Sequence, residues 1–468
     1  MTTVTAPATE AGGVVETNRS ALSFFSALLR DPLSALPPEI FREKLVLARM
    51  GGRDSLYVCD PPLIQELLVK NARNLGKGEI VHKVLGPALG HGLLTAEGSH
   101  WRWQRQSVAG GFQHEKLVGF VPAMIAAAEK ARAGMADHAG SLDIGHEMMR
   151  ATFDIIVETM LSGSANLDVA KVERSVTDYL DPTSFVFAYS LLGVPDWMPY
   201  PGRKRAREAV AYLRDSLGDL VAQRRAATSP RPDLLQMLLA AADPETGRAM
   251  TDAEIVDNLL TFISAGHETT ALGLAWTLHL LTRHRDVEQD VLAEIAAATG
   301  GGSLRPEHVG DLPLTRAVFQ EAMRLYPPAP IITRQVEQAF ELGSLTLAEG
   351  TTVYVPIQAV HRHETLWEDP DRFDPSRFLP GASPRHRYAY LPFGAGPRIC
   401  IGSAFAVMEA VAILAVLLSA YRFEPISEAE PEPSLKITLR PRKPLRMRAV
   451  PRTPSAPRYE EERTAPTN

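Results

Sequence analysis

The stretch LPFGAGPRICIG, residues 391–402, places Cys400 in a glycine-rich turn directly before an apolar run. Gly394, Gly396 and Gly402 allow the backbone to turn tightly and to approach a flat group closely. The run SAFAVMEAVAILAVLLSAY that follows predicts a buried helix, so Cys400 lies beside a helix N-terminus. The amide hydrogens and partial positive charge there stabilise a thiolate, which predicts a lowered pKa for Cys400 and a sulfur able to bind a metal or act as a nucleophile.

The Cys400 thiol has three chemical interpretations. A buried structural cysteine is the ordinary one, but Phe393, Arg398 and the three glycines around Cys400 favour a binding loop. Zinc is disfavoured because no second cysteine or close histidine pair stands at ligand spacing. A single thiolate suits an iron already held by a macrocycle, where the axial sulfur favours cleavage of the O–O bond.

The segment FGAGPRICIG resembles the haem-binding loop of the cytochrome P450 family, and every fixed position of that loop's pattern is met here. The resemblance implies haem b as the cofactor, with Cys400 as the axial ligand and the metal-binding residue. It places Phe393 near the sulfur and Arg398 at a haem propionate. The cofactor-binding positions that it assigns to this loop are Pro392, Phe393, Gly394, Arg398, Cys400 and Gly402.

A second motif, AGHETT at residues 265–270, lies within a long helical pattern. Phe262, Ala265 and Thr269 share one helix face by their spacing, and small residues on that face let a planar cofactor come close. The Thr269 hydroxyl can bond the Ala265 carbonyl, and a threonine satisfied within its own helix is the ordinary interpretation. The resemblance identifies this as the distal oxygen-binding helix, with Ala265 and Thr269 at the cofactor and with Thr269 and Glu268 as catalytic residues of a proton path.

A third motif, EAMR, sets Glu321 and Arg324 three residues apart on a predicted helix. An exposed ion pair is the ordinary interpretation, and it would contribute at most ~1 kcal/mol. The resemblance instead joins the pair to Arg377 of RFDPSRF in a structural network that locks the cysteine loop to the helical body.

A fourth segment, HGLLTAEGSHWRWQRQSVAGGF, carries Trp101 and Arg105 on one helix face. Their indole N–H and guanidinium groups would point at the same carboxylate, and the resemblance makes them propionate partners. Arg334 is a further propionate candidate, with a surface role as the open alternative.

Composition limits the class of protein. The 468-residue chain has 45% hydrophobic and 22% charged residues, as folded globular proteins do, and its net charge of -6 argues against nucleic-acid binding. Two cysteines cannot build a disulfide framework, and the N-terminal segment lacks the features of a signal peptide. Without an uninterrupted apolar stretch of membrane-spanning length, we expect a cytoplasmic protein with no transmembrane anchor.

Helical periodicity dominates the middle of the chain, and short extended segments flank it. The sequence therefore predicts a mainly α fold with a small β region. Polar ends rich in Thr, Pro and charge predict disorder over residues 1–20 and 452–468, with a single domain over 21–451 between them. The resemblance implies the cytochrome P450 fold, with haem buried between the Thr269 helix and the Cys400 loop.

The function implied by the resemblance is a haem-dependent monooxygenase that uses O2. Electrons from NAD(P)H would arrive through a separate reductase and a ferredoxin or flavodoxin, and a monomer is expected. A peroxide-driven peroxygenase is the second interpretation, disfavoured because such members lack the acid and threonine found here as Glu268 and Thr269. A haem-based sensor is the third, disfavoured because no segment is left for a signalling domain.

The candidate pocket residues are apolar or small, which predicts a lipophilic substrate such as a fatty acid, terpenoid or steroid-like molecule. The segment at residues 184–201 reads equally as a lid or as a core helix. Arg102, Arg385 and Arg387 predict a basic docking surface for an acidic electron carrier. The residues predicted to line the substrate pocket are Leu93, Leu94, Phe262, Ala265, Ile331, Ile332 and Thr438.

Overall fold

A computed structural model describes residues 4–5, 14–18, 27, 32–50, 53–136, 140–163, 168–195, 197–229, 231, 233–243 and 246–452. Its α-helices are α1 Pro61–Gln65, α2 Glu79–Leu89, α3 Gly98–Ala109, α4 His114–Ala136, α5 Ile144–Leu161, α6 Val169–Leu180, α7 Thr183–Leu192, α8 Arg203–Ala226, α9 Leu234–Ala240, α10 Asp252–Arg283, α11 Arg285–Thr299, α12 Pro313–Leu325, α13 Ile357–Val360 and α14 Ser403–Ala420. The strands are β1 Val4–Thr5, β2 Val14–Asn18, β3 Leu45–Met50, β4 Arg53–Val58, β5 Leu75–Gly76, β6 Leu142–Asp143, β7 Ile332–Val336, β8 Phe340–Leu342, β9 Leu345–Leu347, β10 Thr352–Val355, β11 Tyr421–Pro425, β12 Pro433–Leu435, β13 Leu439–Pro441 and β14 Arg446–Pro451. The mainly α prediction with a small β region is confirmed.

The helix α10 is the central element, and it packs against α5, α8 and α12. A capping box starts it, in which Thr251 and Glu254 each satisfy a backbone N–H of the first turn. Trp276, in its second half, is fully buried in the main apolar cluster. Helix α10, which has thirty-two residues, is therefore the centre against which the other helices pack.

The helix α14 is the apolar run that follows Cys400. Among the described residues it is the one helix long and apolar enough to cross a bilayer, and 61% of that window is buried inside the protein. It packs against α4 and α12, which explains an apolar surface on all sides. The helix thus anchors the cysteine loop to the core.

The largest sheet has the strand order β2-β3-β4-β10-β7-β5. Strand β10 joins β4 in parallel, with Val353 opposite Leu56, and joins β7 antiparallel, with Val353 opposite Arg334. Tyr57 and Tyr354 stack at 5.0 Å across the first of these pairs. Arg334 thus lies on β7, between β10 and β5 in this sheet.

Part of the segment predicted to be disordered, residues 1–20, is strand in the structure. Strand β2 runs parallel to β3, and β1 runs antiparallel to β9. Both partners are strands whose outer N–H and C=O groups would otherwise lack a neighbour, which composition alone does not reveal. Of the predicted tail at 452–468, only Arg452 is described, and residues 453–468 lie outside the described residues.

Candidate active site

The Cys400 loop is built on backbone contacts. The Cys400 N–H donates to the Phe393 carbonyl at 2.9 Å, and the Ile399 N–H donates to the Gly396 carbonyl at 3.1 Å. Gly396 has a φ of 70°, and a Cβ there would lie 2.0 Å from the Leu68 carbonyl oxygen. Glycine is therefore required at 396 both for the left-handed conformation and for the close approach to Leu68.

The Cys400 thiol is solvent-accessible even though protein groups surround it. Burial raises its pKa, while a bond from the Gly402 backbone N–H and the charge of Arg105 act in the opposite direction. The sequence predicted a lowered pKa, and the protein alone produces the reverse because burial outweighs these two groups. A bound metal ion deprotonates a coordinating thiol outright, so the thiolate would depend on the metal.

The predicted distal helix is α10. The Thr269 hydroxyl donates to the Ala265 carbonyl at 2.8 Å, and Ala265 is exposed although most of α10 is buried. The Phe112 ring lies 6.0 Å from the Phe262 ring and 3.8 Å from the Cβ position of Gly402. Phe112 therefore connects the face of α10 that carries Phe262 to the end of the cysteine loop.

Glu268 is held by the C-terminal hairpin β12–β13. Its carboxylate is buried and accepts bonds from Arg440, at 2.8 Å from Nε and 2.6 Å from the second guanidinium nitrogen, and from the Thr438 hydroxyl. Thr438, predicted as a pocket residue, is thus a partner of the acid. Arg440 is a site residue that sequence reasoning missed, since 172 residues separate it from Glu268.

Three cations lie near one another, and one of them contacts Trp101. Arg398 lies 4.4 Å over the Trp101 ring and donates to the Ala96 carbonyl at 2.9 Å. The charges of Arg334 and Arg398 both act on Lys77, which places all three close together. Sequence reasoning missed Lys77, because a lone lysine between two glycines carries no motif.

These cations, Lys77, Arg334 and Arg398, repel one another in a buried setting. Burial and the two arginines lower the pKa of Lys77 from 10.5 to about 7, against the attraction of Glu97. Burial and the charge of Arg398 likewise lower the pKa of Arg334 to about 10. Burial lowers the pKa of Arg398, and Glu97 and the exposed Glu337 oppose that shift. Positive charge is in excess here, which fits a cofactor that carries two carboxylates.

The cofactor should take up a proton at Lys77 when it binds. Carboxylates favour the ammonium form, so the pKa of Lys77 rises from about 7 on binding. Below that pH Lys77 is charged in both states, and above it binding takes up a proton, so affinity should fall as pH rises. We expect Lys77→Met to release haem faster and to lose this pH dependence, measured by haem transfer to a scavenger protein across the pH range. Lys77→Arg is the charge-retaining control, and a Lys77→Met profile parallel to the parent's would contradict the assignment.

Arg105 lies one turn after Trp101 on α3 and interacts with the sulfur. Burial lowers its pKa, and the charge of Cys400 opposes that shift. The structure thus associates Arg105 with Cys400, and Trp101 with the cation cluster around Arg398. The propionate role of Arg105 stays a prediction.

Glu321, Arg324 and Arg377 come together in the structure. The Glu321 carboxylate accepts two bonds from Arg324, both at 2.7 Å, and the Arg377 Nε lies 3.6 Å away. The side chains of Glu321 and Arg324 are fully buried. Arg324 also donates to the carbonyls of His361, Pro370 and Arg372, at 2.8, 2.6 and 2.9 Å.

His361 links this network to the cysteine loop, and sequence reasoning missed it. The Leu391 N–H donates to His361 Nε2 at 2.7 Å, and His361 Nδ1 lies 3.3 Å from the Arg324 carbonyl. Burial, followed by the charge of Arg324, lowers the pKa of His361 to about 3, so the ring is neutral. Its single ring N–H is then on Nδ1, and Nε2 is free to accept. The first residue of the loop is thereby fixed to the ion-pair core.

The predicted pocket residues divide into two groups. Leu93, Leu94 and Phe262 belong to one apolar cluster, and the Leu93 N–H donates to Asn258 at 3.0 Å. Ile332 packs against a different apolar cluster and lies 3.6 Å from the Cβ position of Gly394. Ile331 and Pro392 are half-buried. Phe393 packs against the main apolar cluster.

The comparisons with known proteins agree on one family. The family described as Cytochrome P450 matches residues 39–448. The chain is 35% identical to cyclooctat-9-en-7-ol 5-monooxygenase of Streptomyces melanosporofaciens, over 86% of this chain and 87% of that protein. It is 33% identical to pentalenene oxygenase of Streptomyces avermitilis, over 91% and 94% of the two chains. The solved cytochrome P450DA haem domain is similar, with a TM-score of 0.78 and 25% identity over 92% of this chain and 93% of that one.

Proposed function

The chain belongs to the cytochrome P450 family and is a haem-dependent monooxygenase, and we propose that its substrate is a lipophilic terpenoid. The names of the two Streptomyces relatives support a terpenoid substrate, since one is a cyclooctat-9-en-7-ol 5-monooxygenase and the other a pentalenene oxygenase. The apolar cluster that contains Leu93, Leu94 and Phe262 supports the proposal of a lipophilic ligand.

The loop that presents an accessible Cys400 beside excess buried positive charge is the observation that carries this function. Cys400 would hold the iron, and Lys77, Arg334 and Arg398 would hold the propionates. When bound, haem b supplies the activation of O2 and the transfer of one oxygen atom to the substrate. A panel of cyclic terpenes and linear fatty acids, scored by spectral shift on binding and by product formation with reductant and partners, tests the proposal. A panel on which only linear fatty acids bind would contradict it.

The two residues predicted to move protons, Thr269 and Glu268, lie on α10. The Thr269 hydroxyl donates its proton to the Ala265 carbonyl, which leaves the Thr269 oxygen free to accept a further bond. Arg440 and Thr438 both donate to one carboxylate oxygen, Oε1, of the neighbouring residue Glu268. We propose that this pair passes protons towards the exposed Ala265 segment of α10, which would limit the loss of reducing equivalents as peroxide.

Thr269→Ala should therefore uncouple the enzyme. Reducing equivalents should be consumed at a similar rate but released increasingly as peroxide, because the hydroxyl that orders the proton path is gone. The measurement is product and peroxide formed per NAD(P)H consumed. Thr277→Ala is the matched control, since Thr277 makes the same bond to the Gly273 carbonyl on the same helix, at 2.6 Å. Thr269→Ser should restore coupling, and an unchanged product yield in Thr269→Ala would exclude this role.

We further propose a cytoplasmic monomer that receives electrons from NAD(P)H through a reductase and a ferredoxin or flavodoxin. Arg102 and Arg387 are exposed. Arg102 precedes Arg105, whose pKa responds to the charge of Cys400, by three residues, and Arg387 precedes the cysteine loop by four. Arg385 is engaged instead, because its guanidinium lies 4.6 Å over the Trp367 ring and 5.1 Å over the Phe378 ring. The docking surface is therefore better tested without Arg385.

Reversing Arg102 and Arg387 to Glu should slow reduction by an acidic ferredoxin and flatten its dependence on ionic strength, because complementary charge accelerates encounter. Stopped-flow reduction across a salt series measures both effects. The double variant Lys204→Glu and Arg205→Glu changes the net charge equally on another element and should reduce normally. Equal slowing in both doubles would place the docking surface elsewhere.

A further inference from the structure

The segment of residues 90–95, between α2 and α3, lies directly on α10. Gly90 has a φ of 51°, and a Cβ there would lie 2.2 Å from a carboxylate oxygen of Asp257. A Cβ at Gly92 would lie 2.5 Å from the Asp257 carbonyl oxygen. Glycine at these two positions therefore lets the segment approach α10 more closely than any other residue would allow. We call this part of the chain the 90–95 segment.

Asp257 of α10 accepts hydrogen bonds from two donors that belong to different elements. Its carboxylate is buried, and it accepts from the His91 N–H at 2.8 Å through Oδ2 and from the Arg214 guanidinium at 2.6 Å through Oδ1. Arg214 lies on α8 and also donates to the Ala88 carbonyl at 2.9 Å. One carboxylate of α10 therefore joins the 90–95 segment to α8.

The next residue of α10, Asn258, holds Leu93. The Asn258 side chain is fully buried, and its Oδ1 accepts from the Leu93 N–H at 3.0 Å while its Nδ2 donates to the Glu254 carbonyl at 2.8 Å. Phe262 follows Asn258 by four residues, so these two residues lie on the same face of α10. Leu93 is thereby fixed one helical turn from Phe262, and both belong to one apolar cluster.

A bond from α3 and a bond within the 90–95 segment complete this arrangement. The buried Gln104 of α3 donates to the His91 carbonyl at 2.7 Å, and the Thr95 hydroxyl donates to the Gly90 carbonyl at 2.8 Å. The N–H and the C=O of His91 are thus both bonded to side chains of helices. The backbone that leads into Leu93 is therefore held by α3 as well as by α10.

We propose that Asp257 is a positioning residue for substrate selectivity, because it holds Leu93 and Leu94 in place in the pocket wall. The proposal rests on the pocket role predicted for these two leucines and does not depend on a terpenoid substrate. Asp257 is bonded to His91 and Arg214, so it acts through the 90–95 segment and not by contact with the substrate. A wall that is already ordered costs a matching ligand no free energy of ordering, whereas a loose wall weakens the binding of every ligand that contacts it.

Asp257→Asn tests the first step with little change in size. An asparagine side chain has one acceptor oxygen, so its amide N–H would face either His91 or Arg214, and one of these donors would lose its partner. Hydrogen exchange of the full-length holoprotein, followed by mass spectrometry, should therefore speed up in the 90–95 segment. We expect an acceleration of about tenfold or more, as for the loss of a hydrogen bond to a charged group.

Two azoles test the selectivity without a known substrate. Imidazole and clotrimazole both bind a haem iron through a ring nitrogen, but only the triaryl group of clotrimazole is large enough to contact the pocket wall. In Asp257→Asn we expect unchanged affinity for imidazole and about fivefold or more weaker affinity for clotrimazole, which is the cost of ordering two leucine side chains. Arg214→Gln should act in the same direction but less strongly, because Asp257 then keeps its bond from His91.

Asp252→Asn is the matched control. Asp252 also lies on α10 and pairs with an arginine of α8, Arg225, at 2.6 Å, but it lies in the exposed first turn of the helix. It should match the parent in both measurements. The red-shifted Soret band of the reduced carbon monoxide complex should be kept in every variant, which separates a loose wall from a damaged site.

Four results would each overturn the proposal. They are unchanged exchange in Asp257→Asn, faster exchange without weaker clotrimazole binding, equal weakening of both azoles, and the same changes in Asp252→Asn. If Asp257→Asn lost its haem, the same comparison made with Arg214→Gln would decide.

Discussion

Replacing Cys400 by Ser should abolish monooxygenation, which is the largest effect we expect from a single substitution. A neutral hydroxyl cannot supply the electron donation of a thiolate to the iron. The carbon monoxide complex of the reduced protein should lose its red-shifted Soret band. Product formation below detection with intact partners, together with that spectrum, is the expected result.

Cys59→Ser is the matched control, because Cys59 is the chain's second cysteine and is buried at the end of β4. Burial raises the pKa of the Cys59 thiol, so it is an inert apolar group. This variant should keep the red-shifted band. A red-shifted band that survives in Cys400→Ser would show that another group ligates the iron.

Replacing Arg324 by Ala should cost about 3–5 kcal/mol of unfolding free energy, since it leaves the buried Glu321 carboxylate without its main partner. Three backbone carbonyls would also lose their donor. Because His361 joins this network to Leu391, the cysteine loop should loosen and haem should be lost. Denaturant unfolding and haem content measure the two effects.

Arg372→Ala is the control for that variant. Its side chain is exposed, while its backbone carbonyl keeps accepting from Arg324. Stability should change by less than about 0.5 kcal/mol. If Arg324→Ala were as stable as this control and kept its haem, the network would not support the loop.

Contacts between residues three or four positions apart could be predicted from the sequence. Thr269 bonds Ala265 one turn earlier, and Arg324 bonds Glu321 three residues earlier, so helical periodicity alone brings these groups together. The prediction that Cys400 ligates the iron came from the family resemblance, because no spacing rule gives it.

The parts that sequence reasoning missed depend on contacts between distant segments. Arg440 reaches Glu268 across 172 residues, and His361 reaches Leu391 across 30. Lys77 becomes a site residue only because Arg334 and Arg398 are folded beside it. The prediction that the pKa of Cys400 is lowered was wrong for a related reason. Burial raises this pKa, and the burial of a residue depends on the whole fold.

The hydrogen bonds from Arg440 and Thr438 to Glu268 limit how the hairpin β12–β13 can change in sequence. The hairpin β12–β13 lies in the part of the chain where the sequence pointed to substrate contacts, yet it also supports the acid of α10. The pocket role predicted for Thr438 and the proton role proposed for Glu268 would therefore depend on the same hairpin. A variant whose hairpin is changed to fit a new substrate would have to keep the two hydrogen-bond donors to Glu268. Without them, we expect more of its reducing equivalents to be lost without product.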